Sequence, residues 1–109
     1  MAAEGTYRVR GITSVIKNGQ LLAVFNSAHR VMKAENILKK CRLAILLIPA
    51  PRALSTDCGL AIRYDSDIFD TVFQSLASEN LLPASIYRKE SDTHYELVWA
   101  SDSVDDTTG

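Results

Sequence analysis

The 109-residue chain has only two cysteines, three prolines and five glycines. Cys41 and Cys58 form no CxxC pair, so the sequence contains neither a disulfide framework nor the pattern of a zinc site. His29 and His94 lie far apart among polar neighbours, so we expect both on the surface and predict no metal and no cofactor. In a reducing cytoplasm both thiols stay free, which makes the exposure of each one important.

The chain also lacks an excess of positive charge and a long hydrophobic run. Twelve Lys and Arg stand against thirteen Asp and Glu, for a formal net charge of -1, so no overall field would attract nucleic acid or an anionic membrane. The longest apolar run, LAILLI at 43–48, is too short to cross a bilayer. The opening residues, MAAEGTYRVR, have no apolar signal-peptide core. We therefore expect a cytoplasmic protein that binds neither nucleic acid nor membrane.

Apolar residues follow strand-like and helical spacing in turn along the chain. Strands are predicted at 21–25, 43–48, 60–64, 84–90 and 95–100. One helix over 28–41 separates the first two strands, and a second over 66–80 separates the third and fourth. The β-α-β-β-α-β order is typical of ferredoxin-like domains, in which both helices cover one face of a four-stranded antiparallel sheet. We predict an α+β ferredoxin-like sandwich with extra terminal strands.

Both predicted helices have residues that can begin or end them. Asn26 or Ser27 can cap the first helix with a side-chain oxygen. Asp65 or Ser66 can cap the second in the same way, and Asn80 can close it in a left-handed conformation. The buried stripe of the first helix is predicted to be Val31, Ala34, Leu38 and Cys41, and that of the second Phe69, Val72, Phe73 and Leu76.

The sheet face opposite the helices needs a cover. The run at 43–48 is apolar on both of its faces, so either a partner subunit or the flanking segments of this chain should shield it. Tyr95, Leu97 and Trp99 alternate along the last strand and can supply large side chains to that cover. If a partner subunit is the cover, the protein is a homodimer formed through the sheet.

Residues 20–100 form the single predicted domain. Before it, Asn18-Gly19 between apolar runs is a hairpin signal, so the extension over 1–19 can contribute a hairpin strand. This conflicts with a ferredoxin-like sheet, whose first strand already has a neighbour on each side, so either the hairpin bends away or the sheet is rearranged. The acidic tail over 101–109 is expected to be disordered.

A loop over 49–59 separates the second and third strands and carries Cys58. It exceeds the usual connection of about 4 to 6 residues, and long loops in compact domains are often functional. Pro49 and Pro51 stiffen its entry, and Gly59 permits a positive φ beside the thiol. Such a bend can present Cys58 to a partner.

Polar residues of the same loop can act on the thiol. Arg52 can fold back and favour a thiolate, whereas Asp57, next to Cys58 in sequence, disfavours it. Ser55 and Thr56 can fold the backbone through local hydrogen bonds. We therefore predict Cys58 as the reactive residue, with a supporting loop of Arg52, Ser55, Thr56 and Gly59.

Two stretches of this region resemble a known family. FNSAHRVMKAENILKK followed by LIPAPRALSTDCGLAIRY closely resembles the selenium/sulfur carrier protein-like domain, found in small prokaryotic proteins. The resemblance covers roughly residues 20 to 88, and its most specific part is the Pro-Arg, Leu-Ser and Cys-Gly-Leu-Ala series at 51–61. By this resemblance, Cys58 corresponds to the signature cysteine of the family.

The resemblance implies a carrier protein rather than an independent enzyme. A Cys58 thiolate would take sulfur or selenium from a donor, hold it as a persulfide-type group and pass it to an acceptor. The implied partners are a cysteine desulfurase, or another sulfur or selenium donor, and an acceptor protein. Arg52 would stabilise the sulfur anion, and Ser55 and Thr56 could add hydrogen bonds. A loop could also carry the thiol into the active site of a partner.

Each thiol also has a structural alternative. Cys58 can be a small residue packed where the loop enters the third strand, in which case the domain would be a non-catalytic binding or regulatory module. Cys41 continues the apolar stripe of the first helix, so we expect it to be packed.

Overall fold

The structure, a computed structural model, describes residues 16–54, 56 and 58–101. The described chain is α+β, as predicted, with two helices and one five-stranded antiparallel sheet. The strands are β1 (Leu21–Val24), β2 (Ile45–Pro49), β3 (Leu60–Tyr64), β4 (Ser85–Ser91) and β5 (His94–Ala100), and the helices are α1 (Ala28–Lys40) and α2 (Phe69–Ser78). A short 3-10 helix, Ser66–Ile68, leads into α2.

The strands lie in the order β2-β3-β1-β4-β5, with β1 in the centre. β1 pairs with β3 on one side and β4 on the other, so it has no free edge for a hairpin partner. Instead Gln20 N donates to Lys17 O (3.0 Å) across a turn, and Gly19 N donates to Lys89 O (2.7 Å). Residues 1–15, where most of the predicted extension falls, and 102–109, the predicted tail, lie outside the described residues.

The side chains of β1 divide the core between the two faces of the sheet. Leu21, Ala23 and Phe25 belong to the cluster that both helices join. That helix side also contains Val31, Ala34, Leu38, Val72, Leu76, Ile62 and Ile86. Burying such apolar side chains stabilises the fold by about 1.5–3 kcal/mol for each large one. Both helices therefore lie on one face, which leaves the other face to be covered differently.

The opposite face is covered in part by flanking segments of this chain. Leu22 and Val24 pack there against Ile16, from before β1, and Leu54, from the loop after β2. These two covering side chains are only 8% and 7% exposed. Leu46 and Leu97 remain 41% and 51% exposed. The expectation that flanking segments help to cover this face is confirmed.

Both ends of α1 lie where the sequence predicts them, but Cys41 does not pack as predicted. Ser27 is the N-cap, and its Oγ accepts a hydrogen bond from Arg30 N (3.3 Å). The expectation that Cys41 is packed is wrong, since it is exposed. The helix ends at Lys40, and Arg42 then takes a left-handed φ of 62°. Such a left-handed residue closes a helix, and Cys41, as the C-cap, lies just beyond the last helical residue.

The C-terminal end of α2 agrees with the prediction. Asn80 takes the predicted left-handed conformation, with a φ of 57°. Asp65 is the N-cap of the 3-10 helix and Ile68 that of α2, but neither helix start has the predicted side-chain capping hydrogen bond. The carboxylate of Asp65 instead accepts a hydrogen bond from Gln20 Nε2 (2.7 Å). The Asp65 side chain thus connects the start of the 3-10 helix to the turn before β1.

A β-bulge changes which side chains of β5 share a face. Ile86 pairs with Trp99 and Tyr87 pairs with Leu97, so Val98 is the extra residue. Trp99 packs on the helix side, edge-on to Phe73 at 5.0 Å between ring centroids, whereas Tyr95 packs on the opposite side. The expectation that Tyr95 and Trp99 cover the same face is therefore wrong, because one inserted residue reverses the alternation.

Candidate functional site

Cys58 lies where the loop after β2 enters β3. Its Sγ is 3.3 Å from Phe25 O and 3.4 Å from Leu60 O. The residue is half-buried and packs against the helix-side core. Since a thiol carries one hydrogen, it donates to one of these two carbonyls at a time. Cys58 is therefore held beside Phe25, which directly follows β1 and precedes the Ser27 cap of α1 by two residues.

The loop over 50–59 is anchored at several points. Ala50 N donates to Gly59 O (2.9 Å), which extends the pairing of β2 and β3. Leu54 N donates to Pro51 O (2.9 Å), and the Leu54 side chain is buried on the opposite face of the sheet. These contacts fix the loop at its two ends and near its middle.

Two members of the predicted supporting loop shape the backbone next to the thiol. Thr56 Oγ1 accepts a hydrogen bond from Gly59 N (2.8 Å), and Gly59 has a φ of 73°, which glycine adopts without steric cost. Their contribution to a reaction stays a prediction.

Arg52, a third member of that loop, is not brought to the thiol. Arg52 is exposed, and no contact between it and Cys58 appears among the described residues. Ser55 and Asp57, the residues predicted to support and to oppose a thiolate, lie outside the described residues. The roles of Arg52 and Ser55 therefore stay predictions.

The reasoning from sequence did not include Phe25, whose carbonyl oxygen is the nearer partner of the thiol. The contact joins residues 33 positions apart, and a backbone carbonyl has no signature in a sequence. The only available signal was the pairing of β1 with β3, in which Val24 lies opposite Ala61. That register places the end of β1 beside the start of β3, and therefore beside Cys58.

The second cysteine and the two histidines lie on the surface of the protein. Cys41, at the end of α1, is exposed, as are both histidines. In the described part of the chain, no group of three or more His, Cys, Asp or Glu side chains could hold a metal ion. None of the described helices has the length and apolar character needed to cross a membrane.

Shifted pKa values are found at the end of β3 and on β4. Burial raises the pKa of the Tyr64 phenol, at the far end of β3 from Cys58. A hydrogen bond from Arg88 lowers the pKa of the Glu90 carboxyl, and the same bond raises the pKa of Arg88, on β4.

Comparison with known proteins identifies the family. A sequence model of the family described as "Putative Se/S carrier protein-like" matches residues 20–88, which is more than half of the chain. The match runs from β1 into β4 and includes Cys58 with its loop, but it excludes β5. No curated protein and no solved structure matches the chain significantly. The resemblance seen in the sequence is confirmed, and the chain belongs to the "Putative Se/S carrier protein-like" family.

Proposed function

We propose that this protein carries sulfur or selenium and that Cys58 holds the transferred atom. The family match supports a carrier of these elements. The observation that carries the proposal is the position of the thiol: Cys58 is partly exposed on a loop that is shaped by hydrogen bonds of Gly59 on both sides. Cys41 has no comparable setting, since it lies exposed just after a helix.

The transfer needs no oxidant or reductant from outside. The Cys58 thiolate attacks the outer sulfur of a donor persulfide, a new S–S bond forms, and the S–S bond of the donor breaks as its thiolate leaves and takes up a proton. An acceptor nucleophile then attacks the outer sulfur of the Cys58 persulfide, and the Cys58 thiolate leaves. The same exchange at selenium delivers that element.

The hydrogen bonds of the thiol determine what must move. A thiolate has no hydrogen to donate to Phe25 O or Leu60 O, so the reactive form turns away from these carbonyls. Arg52 is an exposed cation six residues before the thiol, and turning toward the sulfur anion would let it stabilise the charge. The donor would be a cysteine desulfurase or another sulfur or selenium donor, the acceptor a second protein, and the location a reducing cytoplasm.

The architecture that supports this site is, we infer, a ferredoxin-like sandwich extended by one strand. The order β2-β3-β1-β4 and both helices on one face support this assignment. β5 is then an addition at the edge of β4. The exposed Leu46 and Leu97 on the open face support the further proposal of a homodimer through the sheet.

A second function has one observation in its favour. The hydrogen bonds of Cys58 and its contact with the core are also those of a small packed residue. In that case the domain is a binding or regulatory module, and its affinity for a partner survives Cys58→Ser.

A sulfur-transfer assay separates the two functions. The protein is incubated with a cysteine desulfurase and cysteine, and the mass of the intact chain is measured. We expect the mass of one added sulfur atom on the wild type and on Cys41→Ser, and none on Cys58→Ser, because only Cys58 should accept the sulfur. Sulfur found on Cys41 alone, with Cys58 inert to alkylation in the folded protein, would contradict the proposal.

A further inference from the structure

The charges of the helix layer are separated by sign. The outward stripe of α1 is exposed and consists of His29, Met32, Lys33, Asn36, Lys39 and Lys40. Glu35 is the single acidic residue of α1, and it pairs with Lys39 (3.0 Å). The neighbouring segment of the layer has the opposite sign, since Asp65, Asp67, Asp70 and Glu79 are exposed and no Lys or Arg lies between them. A net charge of -1 thus conceals one basic and one acidic surface.

The basic side lies beside the strand that leads to Cys58. α1 packs against β2 and β3, and β2 is an edge strand of the sheet. Arg42, before β2, and Arg52, after it, are both exposed. Pro49, at the end of β2, pairs with Leu60, which follows Cys58 by two residues. The basic surface, defined as Lys33, Lys39, Lys40 and Arg42, therefore runs along α1 to the start of β2, which is the end of β2 farther from Cys58, whereas Arg52 belongs to the loop that carries the thiol.

An exposed apolar side chain lies on the same stripe. Met32 is 53% exposed and follows His29 by one helical turn. Methionine is a flexible side chain that adapts to different partner surfaces. One such contact among several cations suits a brief encounter, because charges raise the association rate while little apolar area is buried.

We propose that the basic surface docks an acidic segment of the protein that exchanges sulfur or selenium with Cys58. This inference rests on the proposed carrier function, because it assigns the surface to the same exchange. A carrier must leave each partner after transfer, and charge complementarity gives fast, salt-sensitive association without a large interface. A second copy of this chain, offering its acidic side, is the rival occupant. Stable dimers bury a more extensive apolar area than a single Met32 provides.

The binding test uses two labelled peptides and does not require the thiol to react. One peptide is rich in Glu and Asp, and the other has the same length with Lys in place of each acid. Fluorescence anisotropy is measured with the Cys41→Ser/Cys58→Ser protein at low and high salt. We expect the acidic peptide to bind about tenfold more tightly at low salt, and the difference to vanish at high salt.

Matched variants locate the binding. The basic-surface variant Lys33→Gln/Lys39→Gln/Lys40→Gln should abolish the preference for the acidic peptide. The control Asp67→Asn/Asp70→Asn/Glu79→Gln changes three equally exposed charges on the other side and should keep the preference. Equal affinity for both peptides, or a preference that survives in the basic-surface variant, overturns the proposal.

A second arm measures exchange at Cys58 in the Cys41→Ser protein. Each peptide carries one cysteine in a mixed disulfide with a coloured aromatic thiol. The Cys58 thiolate attacks the peptide sulfur, and the coloured thiolate leaves, so its absorbance reports the rate. We expect the acidic peptide to react about tenfold faster at low salt, and the basic-surface variant to remove this difference.

The two arms separate the failure of each idea. If the acidic peptide binds but Cys58 exchanges with neither peptide, the carrier function fails while the docking surface stands. If Cys58 exchanges with both peptides equally and neither binds preferentially, the docking surface is overturned while the carrier function stands. Light scattering at low salt tests the rival occupant, since a dimer that the basic-surface variant dissociates would assign the surface to a second copy and overturn the proposal.

Discussion

Replacing Gly59 by alanine should destabilise the protein modestly and change the reactivity of Cys58. Gly59 has a φ of 73°, and a Cβ built there meets nothing within 4 Å, so the cost is conformational and not steric. A left-handed alanine costs roughly 1–2 kcal/mol, and the reduced freedom of the unfolded chain returns about 0.4–1 kcal/mol. We expect a net loss of about 1 kcal/mol in the free energy of unfolding, or about fivefold in the unfolding equilibrium.

Gly19→Ala provides a matched control. Gly19 also has a positive φ, 93°, and equally open surroundings, but it bonds to Lys89 and not to the loop of Cys58. Urea unfolding should show a loss of similar size for both variants, about 1 kcal/mol. Only Gly59→Ala should speed alkylation of Cys58 in the folded protein, by about fivefold if the whole loss is local, because the hydrogen bonds of Gly59 to Thr56 and Ala50 hold the loop there.

Three results would refute this reasoning. A loss above about 3 kcal/mol for Gly59→Ala would mean that the side chain meets an obstacle, contrary to the open space at that position. No loss at all would mean that the loop adopts another conformation. An equal change in Cys58 alkylation in Gly19→Ala would show that the effect is global and does not pass through the loop.

Three further predictions concern stability. Ser27→Ala removes the N-cap of α1 and should cost about 1 kcal/mol; an unchanged melting temperature would contradict the assigned cap. Leu38→Ala, at a fully buried position, should cost about 2–5 kcal/mol, whereas Met32→Ala on the exposed side of the same helix should stay within about 0.5 kcal/mol in urea unfolding. The Tyr64 hydroxyl is buried without a hydrogen-bond partner among the described residues, so Tyr64→Phe should leave stability unchanged or raise it by about 1 kcal/mol. Because burial raises the pKa of Tyr64, wild-type stability should fall as pH rises above about 10, where the unfolded phenol loses its proton and the folded one does not. The urea midpoint should therefore fall less steeply with rising pH in Tyr64→Phe than in the wild type, and identical alkaline slopes would contradict the assignment.

The helices and strands were predictable because their signals are local. In α1, Val31, Ala34 and Leu38 follow helical spacing and are all buried. The end of that helix near Cys41 was predicted as well, but the exposure of Cys41 was not. Arg42 closes the helix in a left-handed conformation that glycine or asparagine normally supplies, so the sequence carried no signal that Cys41 lies outside the buried stripe. The same rule succeeded at Asn80, where the expected residue type is present.

The position of side chains across the sheet depends on pairings that a local pattern does not contain. Alternation places Tyr95 and Trp99 on one face, but the register of β5 against β4 inserts Val98 and reverses it. The hydrogen bond between Cys58 and Phe25 likewise depends on which strands are neighbours in the sheet. The cysteine could be chosen from the sequence because of its loop and its glycine, whereas its partners required the fold.

The anchored loop decides how Cys58 can meet another protein. The sequence suggested that the loop could carry the thiol into the active site of a partner. In the structure, the Ala50–Gly59 hydrogen bond and the burial of Leu54 hold the described part of this loop against the sheet. Turning the side chain outward breaks only a thiol hydrogen bond, which costs about 1 kcal/mol or less, whereas lifting the loop would also expose Leu54 and unpair its backbone. Rotation of Cys58 is therefore the less costly movement, so under the proposed carrier function a partner would bring its own sulfur to the edge formed by β2 and the start of β3.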